Sequence, residues 1–88
     1  VARRVISIMP KLEVIARTGN QNAVTDACVA TMCARTAVLG ALMNVRINLS
    51  SIKDEDYVKT MALEASSLHD QAVAIEKRVL DYLNENLQ

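Results

Sequence analysis

The stretch GNQNAVTDACVATMCARTAVLGALMNVRINL, residues 19–49, decides the fold. Residues 27, 30, 34, 37, 41, 44 and 48 step by three and four, so they line one side of a helix. They read Ala27, Ala30, Ala34, Ala37, Ala41, Asn44 and Asn48, a row of methyl groups ending in two amides. Such a row predicts a buried, closely packed seam with something polar at one end. Asn22 and Thr25 can each act as the N-cap, and Asp26 falls in the first turn, where the positive helix end favours it. The helix is expected from about 23 to 50. Gly40 costs about 1 kcal/mol against Ala in a helix interior, and its expected return is the close approach of a neighbouring backbone.

Outward from this helix, residues 2–17 place Val5, Ile8, Met9, Leu12, Ile15 and Ala16 at helical spacing. Pro10 removes a backbone donor and predicts a kink or a break. Thr18-Gly19-Asn20 supplies the stop, with Gly19 suited to the left-handed position. Ser50-Ser51-Ile52-Lys53 reads as a short connection. Asp54-Glu55-Asp56 then puts three acids at the start of a last helix. Tyr57, Met61, Ala65, Leu68, Ala72, Ile75, Val79 and Tyr82 or Leu83 hold a 3–4 spacing along it, as an amphipathic helix does. No strand signal, repeat or low-complexity segment occurs.

Roughly half of the 88 residues are apolar, yet there is no Trp or Phe and only two Tyr. The core must come from Ala, Val, Leu, Ile and Met. So short a chain buries a modest core, and a lone monomer of these residues is expected to be unstable. The chain opens at Val1 directly in a helical pattern, which reads as a piece of a longer protein. Residues 27–45 carry Arg35 as their one charge. Asp26, Arg35, Arg46 and several Thr and Asn interrupt the apolar run, which argues against a membrane span and for the central helix of a bundle.

Zero net charge conceals a segregation. Residues 1–18 carry +3, residues 19–53 carry +2, and residues 54–88 set eight acids against Lys59, Lys77 and Arg78. A basic half faces an acidic half. The basic part has no aromatic residue, which disfavours nucleic-acid binding and leaves the attraction of a small polyanion.

Catalytic motifs are sparse. Cys28 and Cys33 lie about 140° apart around a helix, cannot bridge each other, and fit no zinc spacing. They read as buried free thiols in a reducing compartment. His69 stands among acids with no second ligand, so a surface role is expected, and no metal is. There is no glycine-rich phosphate loop or nucleophile elbow. The polar set around the central helix remains: Asn20, Asn22, Asp26, Asn44, Arg46 and Asn48. Read structurally, Asn20, Asn22 and Asp26 cap and turn, while Asn44 and Asn48 satisfy each other or a neighbour. Read functionally, they line a pocket for an anionic ligand, with Arg46 suited to a carboxylate. Asn44 and Asn48 share a face and Arg46 lies about 200° round from Asn44, so one ligand touches all three only if the helix unwinds near residue 46 or a second subunit meets the other face. Arg46 ranks as the better ligand contact, and Asn44 and Asn48 as more structural.

Gly19-Asn20-Gln21-Asn22-Ala23-Val24-Thr25-Asp26-Ala27, followed by Gly40-Ala41-Leu42-Met43-Asn44-Val45-Arg46-Ile47-Asn48-Leu49, closely resembles the cyclodeaminase/cyclohydrolase family of folate enzymes. The resemblance spans essentially the whole chain, at the family's C-terminal end. It implies an all-helical domain of which residues 1–88 are the C-terminal portion, its N-terminal half being absent. It further implies a homodimer with a folate site near subunit contacts. The substrate would be formimino- or methenyl-tetrahydrofolate, and the reaction ammonia elimination or hydrolysis of the methenyl bridge. The family's Pro-x-Pro-Gly-Gly-Gly-Ser-type segment and proposed catalytic acid have no counterpart here, so the fragment alone is expected to be inactive and its catalytic residues are unassigned. The expectation is an all-α piece of three helices from a cytoplasmic enzyme, with Arg46, Asn44, Asn48, Asn22 and Asp26 on the substrate side. Its rival is a non-catalytic helical oligomerisation module.

Overall fold

The computed structural model describes residues 1–86, with Gln21 by its backbone alone. It contains α1 (Ala2–Thr18), α2 (Gln21–Leu49) and α3 (Glu55–Asn86), with no strand among the described residues. Two short connections make α2 antiparallel to both neighbours. Arg3 meets Glu64, Glu13 meets Arg78, and the Tyr82 hydroxyl donates to the Arg17 carbonyl. This near-constant offset means that α1 and α3 run parallel, side by side.

The core lies along one line of α2. Val24, Cys28, Thr31, Val38, Leu42 and Leu49 are buried, and Arg35 and Val45 are half-buried on the same line. Their steps alternate four and three, the spacing by which a helix keeps one seam against its neighbours. Against them pack Ile6, Met9 and Ala16 from α1, and Ala65, Ala72, Ile75 and Val79 from α3. Thr31 is the one buried polar side chain among the described residues, and its hydroxyl donates to the Ala27 carbonyl at 2.8 Å. That bond meets the need of a buried hydroxyl without any partner helix.

The alanine row is therefore only partly the seam. Ala27 and Ala34 are buried, and Ala30 and Ala41 are half-buried. Ala37, Asn44 and Asn48 are exposed, however. The larger Val and Leu side chains, worth more on burial, take the centre of the interface and turn the row towards its edge. Gly40 is exposed too, with nothing within 4 Å of where a Cβ would stand, so no neighbour in this chain comes close to it. By length and composition Asn22–Leu49 could cross a membrane, at a mean hydropathy of 1.5, but its inner side is the core of this bundle.

The helix ends depart from expectation in ways that chemistry explains. α2 begins at Gln21 because Asn20, extended at φ −73° and ψ 175°, accepts from the Ala23 amide at 2.9 Å. Neither Asn22 nor Thr25 is the N-cap. Gly19 is also extended, at φ −80° and ψ 167°, not left-handed. Its requirement is space: a Cβ there would stand 2.8 Å from both the Ala23 Cβ and the Ile15 carbonyl oxygen. Pro10 does not break α1, which runs through it with the ring exposed. Pro10 deprives the Ile6 carbonyl of its amide partner, while Ile6 and Met9 before it and Ala16 after it, all buried, hold the helix to the bundle. The start of α3 is as expected, with Asp54 accepting from the Tyr57 amide at 3.1 Å. So is most of the α3 stripe, although Tyr57 itself is 49% exposed. On α1, Ile8 and Ile15 are exposed despite their helical spacing.

The charge segregation becomes cross-helix pairing. Arg35 on α2 donates to Glu76 on α3 at 2.7 Å, and Arg78 on α3 donates through Nε and Nη2 to both oxygens of Glu13 on α1. Arg17 also reaches Glu13, at 3.3 Å, and lies over the Tyr82 ring, 5.1 Å from its centre. The Arg78 hydrogen bonds, against the opposing effect of burial and with help from Arg17, hold the Glu13 carboxyl below its usual range.

Three outcomes are expected. Gly→Ala ordinarily stabilises by about 0.4–1 kcal/mol, but Gly19→Ala should destabilise by about 1–3 kcal/mol through overpacking against backbone; a rise in melting temperature would disprove the close corner. Ala34→Leu should cost a similar ~1–3 kcal/mol, read by urea unfolding. For Glu13 the lowered folded pKa means stabilisation that is present above the unfolded value and lost as pH falls through the folded one. Glu13→Gln should lower stability by about 0.2–1 kcal/mol at pH 7, half-exposed pairs being weak, and make stability less sensitive to acidification below about pH 4.5. An unchanged acid limb would remove Glu13 from that role.

Candidate functional site

The five residues singled out for substrate contact all lie on α2, at its two ends. Asn22 and Asp26 are in its first turns, and Asn44, Arg46 and Asn48 in its last. At about 1.5 Å per residue, Asp26 and Asn44 stand about 27 Å apart and Asn22 and Asn48 about 39 Å apart. One chain therefore does not bring them together. All five are exposed, and none of their side chains makes a hydrogen bond or ion pair among the described residues. Asn44 and Asn48 do not satisfy each other, and of the N-terminal group only Asn20 caps. The amides and the guanidinium are open to an outside partner.

A cleft among the described residues lies elsewhere. It encloses about 260 Å³ where the start of α1 meets the later part of α2 and the early part of α3. Leu42, Val45, Met61 and Leu68 make its walls apolar, and the Arg3–Glu64 pair stands among them. The two charged side chains at this cleft are paired to each other, so what it offers is mainly apolar contact. Val45 belongs to its wall while Asn44 and Arg46, either side in sequence, point outward.

Beyond Val45, α2 and α3 continue as a two-helix hairpin without α1 against them. The molecule is 51 Å long, whereas the 17 residues of α1 cover only about 26 Å. Large apolar side chains are bare at that end: Met43 61%, Ile47 66% and Leu63 73% exposed. Asn44, Arg46 and Asn48 sit among them.

The remaining chemical groups are inert or isolated. Burial raises the Cys28 thiol above its ordinary range, which suppresses the nucleophilic thiolate. Cys33, expected inside, is exposed. His69 is half-buried with Nδ1 3.3 Å from the Asp70 carboxylate. No group of three or more His, Cys, Asp or Glu is placed to hold a metal among the described residues. Sequence reasoning overlooked the Arg35–Glu76 pair, whose signal was the phase of Arg35 on the four–three line of α2.

Residues 1–67 match the family described as formiminotransferase-cyclodeaminase. The chain is 35% identical over 83 residues to the formimidoyltransferase-cyclodeaminase of Sus scrofa, an alignment covering 94% of this chain and 15% of that protein. It is 30% identical over 81 residues to the methenyltetrahydrofolate cyclohydrolase of Methylorubrum extorquens, covering 92% of this chain and 38% of that protein. With the formimidoyltransferase-cyclodeaminase of Rattus norvegicus it shares 33% identity over 72 residues, 82% of this chain and 13% of that one. The chain thus spans well under half the length of these curated relatives. No solved structure matches it. The match over most of its length, on a three-helix all-α frame, shows that the chain belongs to the formiminotransferase-cyclodeaminase family.

Proposed function

We propose that residues 1–88 form the C-terminal portion of a single all-helical domain in a cytoplasmic folate one-carbon enzyme. Its substrate is formimino- or methenyl-tetrahydrofolate, and its reaction eliminates ammonia or hydrolyses the methenyl bridge. The family match and the relatives' names support the folate chemistry. The observation that carries the site is the set of exposed, unpartnered polar side chains on α2, with Arg46 as a cation left free for a ligand. In this reading Arg46 meets the anionic glutamyl tail, Asn44 and Asn48 face the opposite side of the helix, where a second subunit meets them, and Asn22 and Asp26 contribute from the other end of the helix. An N-terminal half of the domain covers the bare α2–α3 hairpin and brings the catalytic residues. The enzyme works as a homodimer, without metal, nucleic acid or membrane.

Arg46→Ala tests this in the chain joined to its N-terminal half. Loss of a charge-assisted hydrogen bond should cost about 1.5–3 kcal/mol, roughly ten- to hundredfold in affinity for a tetrahydrofolate polyglutamate by calorimetric titration. Affinity within twofold of the parent, with stability lowered, would make Arg46 a structural residue. Intact mass of the purified protein provides a separate check: a second fragment of similar size supports the missing half, whereas a lone 88-residue species without folate binding favours an oligomerisation module.

A further inference from the structure

The exposed side of α2 is self-complementary when reversed. Asp26 and Asn44 are eighteen residues apart, which is five whole turns, so they lie on one line parallel to the helix axis. Asn22 and Asn48 fall within about 40° of that line. Between these polar ends the same line carries only small side chains: Ala30, Cys33, Ala37 and Gly40. Cys33, Ala37 and Gly40 are exposed, Ala30 is half-buried, and a Cβ on Gly40 would meet open space. The outward line therefore reads polar, small, polar, centred near residue 35. The core line, filled by Val24, Val38, Leu42 and Leu49, is on the other side of the helix.

We infer that this line is the contact with a second copy of the chain, two α2 helices crossing antiparallel about a two-fold axis near residue 35. The occupant follows from complementarity. An antiparallel copy sets the Asn44 amide, a donor, against the carboxylate of Asp26, an acceptor, and Asn22 against Asn48, twice over by symmetry. A parallel copy sets Asp26 against Asp26, like against like. A wholly apolar partner desolvates Asp26 and the amides with nothing to pair them. The small middle lets the two backbones approach to the short end of the helix-packing range, which accounts for the glycine at 40 that no neighbour within the chain explains. Each end of the contact then gathers Asn22 and Asp26 of one copy with Asn44 and Asn48 of the other. Four of the five proposed substrate residues, far apart in one chain, become two compact clusters that neither copy holds alone.

This inference rests on the homodimer proposed above, and it adds the helix, the direction and the register. The test is disulfide trapping in the 88-residue chain, with Cys33→Ala throughout. In the variant carrying both Asp26→Cys and Asn44→Cys, the antiparallel register brings each new thiol beside the other's partner, while the two in one chain are about 27 Å apart and cannot bridge. Mild oxidation should convert this double variant to a covalent dimer that reductant reverses. Either single variant should stay monomeric on a denaturing gel, its two thiols being at opposite ends of the contact. Trapping in the single variants as well as the double would mean parallel or unspecific pairing and overturn the inference. Sedimentation equilibrium of the unsubstituted chain separates the two layers. A dimer whose double variant does not trap refutes this register and leaves another dimer contact standing, whereas a monomeric chain refutes the α2 contact and leaves the homodimer of the larger enzyme to its own test. Circular dichroism matching the parent confirms that each variant is folded before its result counts.

Discussion

The fold hangs on the burial of one side of α2 with side chains that are mostly small. Val24, Val38 and Leu42 supply most of its bulk, and Cys28, Thr31 and alanines fill the rest. Because no aromatic ring is buried in the core, area is gained through length: a 29-residue helix lies between a 17-residue and a 32-residue one. An elongated bundle is the natural result, since helices that lack bulk must touch over many turns. It also explains the sharp corner at Gly19, where the chain reverses within two residues and any side chain would prise α1 from α2.

Electrostatics then fixes which helix lies where. The uneven charge in the sequence resolves into three cross-helix contacts that all end on α3: Arg3 with Glu64, Glu13 with Arg78, and Arg35 with Glu76. Exposed pairs add little stability individually. Their placement still sets register, because sliding α1 by one turn along α3 would separate both of its pairs together. Tyr82, bonded to the Arg17 carbonyl and lying under its guanidinium, ties down the end of α1 at the same level.

The three helices, the acidic start of α3 and its buried stripe could be read from the residues, because an acid cluster and a clean apolar spacing each have one helical meaning. The buried phase of α2 could not. Apolar and small side chains surround that helix, so spacing alone offers several faces, and the unbroken alanine row has a cleaner apolar pattern than the line that carries Thr31 and Arg35. Both polar residues are tolerated there for local reasons, a hydroxyl bonded to its own helix and a guanidinium held by α3. Such reasons are invisible until the neighbouring helix is in place. The candidate site was legible only as residue types. The expected helix from about 23 to 50 already set the polar residues at its two ends, but their exposure and lack of partners appear only once the neighbouring helices are in place.

The bare end of the α2–α3 hairpin has a dynamic consequence. Where α1 is absent, each turn of α2 has one neighbour instead of two, so opening that segment exposes less apolar surface and costs less free energy than opening the middle. In residues 1–88 by themselves, backbone amides around residues 45–61 are expected to exchange with solvent through a local fluctuation rather than through unfolding of the whole bundle. Asn44, Arg46 and Asn48 ride on this soft segment. Whatever engages them there also rigidifies it, so part of the binding free energy is spent on ordering backbone, and association with ligand becomes coupled to the protection of that end.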